Sequence, residues 1–296
     1  MIGLLPKSIE NSLVEYYNRK GENLQINAFS FTSGGCINSA GMIDSNLGKK
    51  FIKWNDREKF PGMFEKEARG LKLLSAPGVI RVPEVLTTGD IGQFSYLLTE
   101  FISSTARALD YWGQLGQNLA ALHNISNKSF GLDHDNYIGS LTQSNELEVD
   151  WITFYIKHRL ENQLNLAVDH GKMGKAQMDK FQKLYEGLTD LLPGDETPSL
   201  LHGDLWGGNI MTGPDGEPVI FDPAVYFGHR EIDIAMTRLF GGFGSNFYEV
   251  YEEFSPLTPG FEDRIDIYQL YPLLVHVNLF GGGYISQVDS ILNRYV

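Results

Sequence analysis

Cysteine is all but absent: Cys36 is the only one in 296 residues. A lone thiol excludes an intramolecular disulfide framework and any cysteine-built zinc site, and it suits a reducing, cytoplasm-type compartment. Histidine does not fill the gap, because the seven histidines form no HxH or HxxxH pair. Basic residues are in deficit, 24 Lys+Arg against 37 Asp+Glu, for a formal charge of −13. Nucleic acid and anionic membrane would be repelled by that field, so neither is expected as a partner. The charge suits a cationic or amine-bearing substrate, and equally a surface that simply stays soluble. Long apolar runs are missing too. Even the stretch from Tyr271 to Phe280 is interrupted by Pro272, His276 and Asn278. The apolar part of Met1 to Lys7 is too short for a signal peptide, and Glu10 and Glu15 follow, so no export or transit signal is expected. There is no G-x-S-x-G elbow, and Cys36 lacks the surroundings of a thiol protease.

What is present is an ordinary globular composition, 42% hydrophobic and 21% charged, enough for a sizeable core. The pattern changes near residue 103. Before it, strand-like runs cover Leu24 to Thr32, Cys36 to Ile43 and Lys49 to Trp54. A helix is expected over Glu58 to Ser75, with Phe64, Ala68, Leu71 and Leu74 on one face, stopped by Ala76-Pro77-Gly78. Strands near Pro83 to Thr88 and Phe94 to Ile102 follow. The first third therefore reads as a small sheet with one helix inserted after its third strand.

Beyond Asp110 the period is helical. Trp112, Leu115, Leu119 and Leu122 mark one buried stripe. Further helices are expected over Asp150 to Val168 and Lys175 to Leu192, the latter facing the core with Met178, Phe181, Leu184, Leu188 and Leu191. Phe261 to Tyr295 reads as one or two closing helices, broken near Pro272 or Gly281-Gly282-Gly283. The expected architecture is α+β in two lobes, 1–102 and 103–296.

The chemistry concentrates in Ser199 to Ala224, SLLHGDLWGGNIMTGPDGEPVIFDPA. Two apolar runs flank the turn signal Pro214-Asp215-Gly216, so a hairpin or two short strands should bring His202, Asp204, Asn209 and Asp222 to one end of a small sheet. Oxygen donors of this kind suit a magnesium–phosphate group, which takes one or two carboxylates plus phosphate and water. The remaining carboxylate can orient or deprotonate a hydroxyl. Singly, each residue is explained as a turn former or cap. Together, at this spacing, they point to chemistry.

His202-x-Asp204-x-x-x-x-Asn209 followed by Asp222 resembles the catalytic and metal-binding loops of protein-kinase-like phosphotransferases. Gly203 stands where protein kinases carry Arg, and Asp222-Pro223-Ala224 replaces Asp-Phe-Gly, which points toward small-molecule kinases. HGDLWGGN, DPAVYFGHREIDIAM, LFGGF and DNYIGS are similar to the fructosamine kinase (ketosamine-3-kinase) family over nearly the whole chain. The resemblance implies a two-lobed kinase-like fold, with ATP and Mg²⁺ as cofactors. It makes Asp204 the residue acting on the acceptor hydroxyl and Asn209 and Asp222 the metal ligands. It places Lys53, paired with Glu67, on the nucleotide phosphates, and Gly34 and Gly35 in a loop covering them. Main-chain groups of Thr99, Glu100 and Phe101 would meet the adenine. It further implies that Asp233 braces the catalytic loop, as His202 is expected to do.

The family's acceptor is O3 of a sugar joined through C1 to an amine, small or protein-bound. Once phosphorylated, that oxygen can be eliminated and the amine freed, which implies deglycation. For acceptor recognition, Asp135, Asn136, Tyr137 and Trp206 offer polar groups and aromatic faces. Cys36, beside the phosphate-covering loop, is a candidate redox switch, so the chain is expected as a monomer or a redox-dependent homodimer. The alternatives are an aminoglycoside or other amino-sugar kinase and an ATP-binding pseudokinase scaffold.

Overall fold

The computed structural model describes residues 5–32, 37–194 and 196–296. The chain opens with helix α1 (Lys7–Arg19), then strands β1 (Ile26–Phe31), β2 (Ser39–Ser45) and β3 (Lys50–Asp56). Helix α2 (Met63–Ser75) crosses to β4 (Val85–Ile91) and β5 (Phe94–Glu100). The five strands form one antiparallel sheet in the order β1-β2-β3-β5-β4, so β2, β3 and β5 are its interior strands, with β3 at the centre beside β5. Alternation of β-branched and aromatic residues with polar ones buries Ile52 and Trp54 on this sheet.

Helix α1 covers one face of the sheet. Its Ile9, Leu13 and Tyr17 recur every four residues and pack with Ile52, Trp54, Tyr96 and Leu98 in a separate small core. Helix α2 belongs to the main core instead: Phe64, Ala68, Leu71 and Leu74 join Leu97 and the helices of the larger lobe. It starts five residues later than its sequence suggests. Asp56 Oδ1 accepts the N–H groups of Glu58 and Lys59 and ties that segment into a turn before Met63.

Helix α3 (Tyr111–His123) buries Leu115, Leu119 and Leu122 completely. The short pair β6 (Asn136–Ile138) and β7 (Leu141–Gln143) follows. The expected helix over Asp150 to Val168 is present but not uniform: α4 (Trp151–Phe154) passes into a π-helical turn, Tyr155–Glu161, and then α5 (Asn162–Asp169). Helix α6 (Lys175–Leu191) buries Phe181, Leu184 and Leu188, whereas Met178 is left exposed.

Strands β8 (Ser199–Leu201), β9 (Ile210–Thr212), β10 (Pro218–Ile220) and β11 (Tyr226–Gly228) carry the central motif. Pairing of β9 with β10 makes the expected hairpin; β8 pairs with β11. Helices α7 (Glu231–Leu239), α8 (Ser245–Phe254), α9 (Phe261–Phe280) and α10 (Gly283–Tyr295) complete the larger lobe. Helix α9 runs through Pro272, because its neighbours Leu270, Tyr271, Leu273 and Leu274 are all buried and hold it in place. The break comes at Gly281 and Gly282, both at positive φ (67° and 63°). None of the described helices is long and apolar enough to cross a membrane.

Candidate active site

Lys53 lies in β3, between Ala40 of β2 and Leu97 of β5. An interior strand makes its side chain a buried one, and an unpaired ammonium there would be costly. It is paired twice: Nζ donates to Glu67 Oε1 at 2.8 Å and contacts Asp222 Oδ1. Burial works against the lysine's charge, but the carboxylates of Asp222 and Glu67 outweigh it and hold its pKa above the ordinary value. Burial likewise raises Glu67, with Lys53 opposing.

Asp204 sits in the loop between β8 and β9, which closes in a single 3₁₀ turn, Gly207–Asn209. Asn209 Nδ2 donates to the main-chain oxygen of Asp204 at 2.8 Å and to its Oδ2 at 3.0 Å. The same nitrogen lies 3.5 Å from the carbonyl of Asp222. With Nδ2 turned to Asp204, the amide oxygen of Asn209 is the group left to meet a cation. Burial pushes the Asp204 carboxyl up to about 7; the Asn209 bond opposes this, and the charges of Asp222 and Asp233 add to it.

Asp222 adopts φ 56°, the one non-glycine residue at positive φ among the described residues. No group of three or more His, Cys, Asp or Glu able to hold a metal occurs among the described residues. An amide oxygen and one or two carboxylates are hard oxygen donors of the kind that fit magnesium, which keeps water and phosphate oxygens as its other ligands.

The loop is braced from below. Asp233, buried on α7, accepts the N–H of His202 at 2.8 Å and of Gly203 at 2.9 Å. His123 Nε2 lies 3.2 Å from Asp233 Oδ2, the oxygen that also accepts the His202 N–H, and His123 Nδ1 meets the Tyr251 hydroxyl at 2.7 Å. Burial favours neutral Asp233, but its bonds to His123 and the loop hold its pKa below the ordinary value. His202 donates Nε2–H to the carbonyl of Phe221 at 3.0 Å; burial lowers its pKa, so the ring is neutral. It is a brace, not a base. Gly203 has φ 82°, and a Cβ there would lie 2.0 Å from the carbonyl oxygen of Ala224, so the site has no room for the arginine of protein kinases.

The other expected residues divide. Thr99 and Glu100 lie within β5, and the Glu100 N–H is already donated to Glu84 O at 2.9 Å; Phe101 stands just past the strand. Trp206 is 40% exposed beside Asp204, edge-on to Phe240. Of the three residues of the 135–137 segment expected to contact an acceptor, Asn136 is turned inward, whereas Asp135 is exposed and Tyr137 half-buried, each with a partner within the protein. Asp135 accepts the Asn145 N–H, and Asn136 is buried with its amide bonded to Val225 O, Gln143 and Asn145. Tyr137 donates to Pro61 O and faces Lys66 on α2, so it links the lobes. Gly34, Gly35 and Cys36 lie outside the described residues. Residues unforeseen from the sequence are His123 and Tyr251, whose role depends on a partner 110 or more positions away.

A five-stranded antiparallel sheet over a mainly helical lobe, with a Lys–Glu pair above and an Asp–Asn–Asp set below, defines a protein-kinase-like phosphotransferase. The family model "Fructosamine kinase" matches residues 9–296. A probable ketoamine kinase from Enterococcus faecium is 42% identical over 263 residues, 88% of this chain and 93% of its own length. A chloroplastic protein-ribulosamine 3-kinase from Oryza sativa subsp. indica is 42% identical over 292 residues, 97% of this chain and 84% of its own. The crystal structure of a candidate fructosamine-3-kinase from Haemophilus somnus superposes with a TM-score of 0.87 at 31% identity, covering 98% of this chain and 97% of that one. The chain belongs to the fructosamine kinase family.

Proposed function

We propose that the chain transfers the γ-phosphoryl group of ATP to O3 of a ketosamine such as a ribulosamine or fructosamine, preparing release of the amine. The observation that carries this reading is Asn209. Its amide nitrogen is held on Asp204 and lies 3.5 Å from the main-chain carbonyl of Asp222, so one side chain ties the carboxylate read as hydroxyl-directing to the segment read as the cation site.

Lys53, fixed by Glu67, would neutralise the nucleotide phosphates, and main-chain atoms of Phe101 would meet the adenine. Asn209 Oδ1 and the Asp222 carboxylate would hold Mg²⁺. When bound, the ion supplies charge neutralisation and in-line alignment of the phosphates. Asp204 would accept a hydrogen bond from the sugar hydroxyl, orient its oxygen for attack and take its proton. Residues 1–102 would cover the nucleotide and 103–296 carry the reacting groups, with α2 keyed into the larger core. The single cysteine supports work in a reducing, cytoplasm-type compartment.

ADP release should be measured for purified protein with ATP and Mg²⁺ against a synthetic ribulosamine, a fructosamine and kanamycin. Turnover with a ketosamine and none with kanamycin is expected. Turnover with kanamycin alone would make the chain an aminoglycoside kinase, and nucleotide binding without any turnover would make it a scaffold.

A further inference from the structure

Behind Asp222 lies a buried polar cluster whose hydrogen-bond directions can be traced. Arg159 is fully buried within the π-helical turn. It has no carboxylate at ion-pair distance among the described residues. Instead its guanidinium stacks on Tyr226, 3.9 Å from the ring centre, and lies 4.6 Å from the centre of Phe154. A buried charge without a counter-charge is costly, and π-turns often mark functional positions.

Arginine can only donate, and that fixes every amide beyond it. Arg159 donates to Asn145 Oδ1 at 2.8 Å, so Asn145 must present its nitrogen to Asn136 Oδ1, at 3.0 Å. Asn136 must then donate, and does so to the carbonyl of Val225 at 2.8 Å. Gln143 adds a second arm. Its Oε1 accepts the Tyr271 hydroxyl at 2.6 Å, and its nitrogen donates to Asn136 Oδ1 at 2.8 Å and to the carbonyl of Ala224 at 3.0 Å. The chain of donors thus ends on two successive carbonyls, two and three residues after Asp222. The Tyr226 ring, next in line, is gripped by the same guanidinium.

Asp222 needs such a hold. Its φ of 56° lies in a region that residues with a side chain enter only when their surroundings impose it. The 224 carbonyl also presses against Gly203, so the same clamp sets the distance between the metal-binding segment and the loop of Asp204.

We propose that Arg159, Asn145, Asn136 and Gln143 form a positioning network that fixes the backbone behind Asp222 and aims its carboxylate at the metal–nucleotide. This rests on the reading of Asp222 as a metal ligand. It gives the DNYIGS segment a role behind the metal loop, through Asn136 on the carbonyl of Val225.

The test uses the nearly isosteric Asn136→Asp, which puts an acceptor against the Val225 carbonyl, together with Gln143→Leu, Arg159→Met and Arg159→Lys. Leu188→Ala, a buried change in α6, serves as a control for lost stability alone. Two readouts are taken: amide hydrogen exchange over 222–228 in protein free of metal and nucleotide, and the Mg²⁺ concentration needed for half-maximal ADP binding. The network variants should speed exchange in that segment and raise the Mg²⁺ requirement about 10-fold or more, the usual effect of removing an outer partner of a metal ligand. Arg159→Lys should lie closer to wild type than Arg159→Met. Leu188→Ala should move neither readout beyond its general loss of stability. If the network variants match Leu188→Ala in both, the proposal is overturned. Should Gln143→Leu or Arg159→Met fail to fold, Asn136→Asp decides alone. Asp222→Ala run in parallel separates the two claims: an unchanged Mg²⁺ requirement there removes the metal reading and with it the aiming role, while the exchange data judge the clamp independently.

Discussion

Lys53 and Asp222, 169 positions apart, are joined by a direct ion pair, and the same lysine holds Glu67 at 2.8 Å. One ammonium thus bridges the sheet, helix α2 and the segment after β10. The carboxylate proposed to hold magnesium is the one that Lys53 occupies. Cation and lysine therefore compete for Asp222, and nucleotide phosphates would draw Lys53 away as the metal arrives. Removing Asp222 should abolish the metal dependence without abolishing nucleotide contact. Asp222→Ala is expected to weaken ADP binding about 10-fold or more with Mg²⁺ present and little without it. Calorimetric titration with and without Mg²⁺ checks this, and an undiminished Mg²⁺ effect would count against the ligand role.

Asp204→Asn should lower turnover on the order of 10²–10⁴-fold, the typical worth of a positioned acid–base group. Nucleotide affinity should stay close to wild type, since the residue is proposed to act on the acceptor hydroxyl. Because burial raises the carboxyl to about 7, kcat/KM should rise with pH and level off above that value. Activity in the Asn variant above a tenth of wild type, or a flat profile between pH 6 and 8, would remove Asp204 from the reaction.

The same shift has a consequence for stability, opposite in sign to that of a salt-bridged carboxylate. The unfolded chain would ionise Asp204 near the ordinary carboxylate value of 3.8, the folded chain only near 7. Between those values the folded state binds more protons, so this group's contribution to stability falls as pH rises through that window. Asp204→Asn should therefore melt higher than wild type at pH 8, on the order of 5–10 °C, with the gap closing toward pH 4. A constant difference across that range would contradict the raised carboxyl.

Much of this was legible in the sequence, for physical reasons. The strands around Lys53 and the α3 stripe of Leu115, Leu119 and Leu122 carry their period locally. Asp204, Asn209 and Asp222 stand at a spacing set by a hairpin whose turn residues are explicit. What stayed hidden depends on distant partners. Asn136 and Tyr137 look like sugar contacts until Val225, Gln143 and Pro61 are placed against them. The π-turn in which Arg159 is buried is announced by no helical period. Helix α1 is a different case: Ile9, Leu13 and Tyr17 show the period, but a short amphipathic stretch before a sheet acquires its meaning only with the apolar face it covers.

Asp233 offers a test of the brace. It satisfies two loop N–H groups and faces His123, all within the protein interior. Asp233→Ala would leave these without an acceptor and should cost about 3–5 kcal/mol, the usual result of breaking a buried charged network. Denaturant unfolding measures it. Asp233→Asn, which retains one acceptor oxygen, should recover part of the loss; equal stability of both variants with wild type would show that the brace contributes little.

Trp206 is one candidate for acceptor recognition. It follows Asp204 by two residues, its ring lies over Gly208, and its other side meets only the edge of Phe240, 6.1 Å between centres. A core residue would be covered; this one is 40% exposed, two residues from the proposed acceptor carboxylate. Stacking against the C–H face of a sugar or the ammonium of a ketosamine would be worth about 0.5–1.5 kcal/mol, which corresponds to roughly 2- to 12-fold in binding. Trp206→Ala should raise KM for the ketosamine by that factor while KM for ATP stays unchanged, and Trp206→Phe should fall between. The alternative is that the ring only shields the loop carrying Asp204 and Asn209. In that case truncation would disturb both substrates together and lower kcat, with no separation between the two KM values. Parallel measurement of both constants in the two variants decides between a sugar-facing and a loop-packing tryptophan.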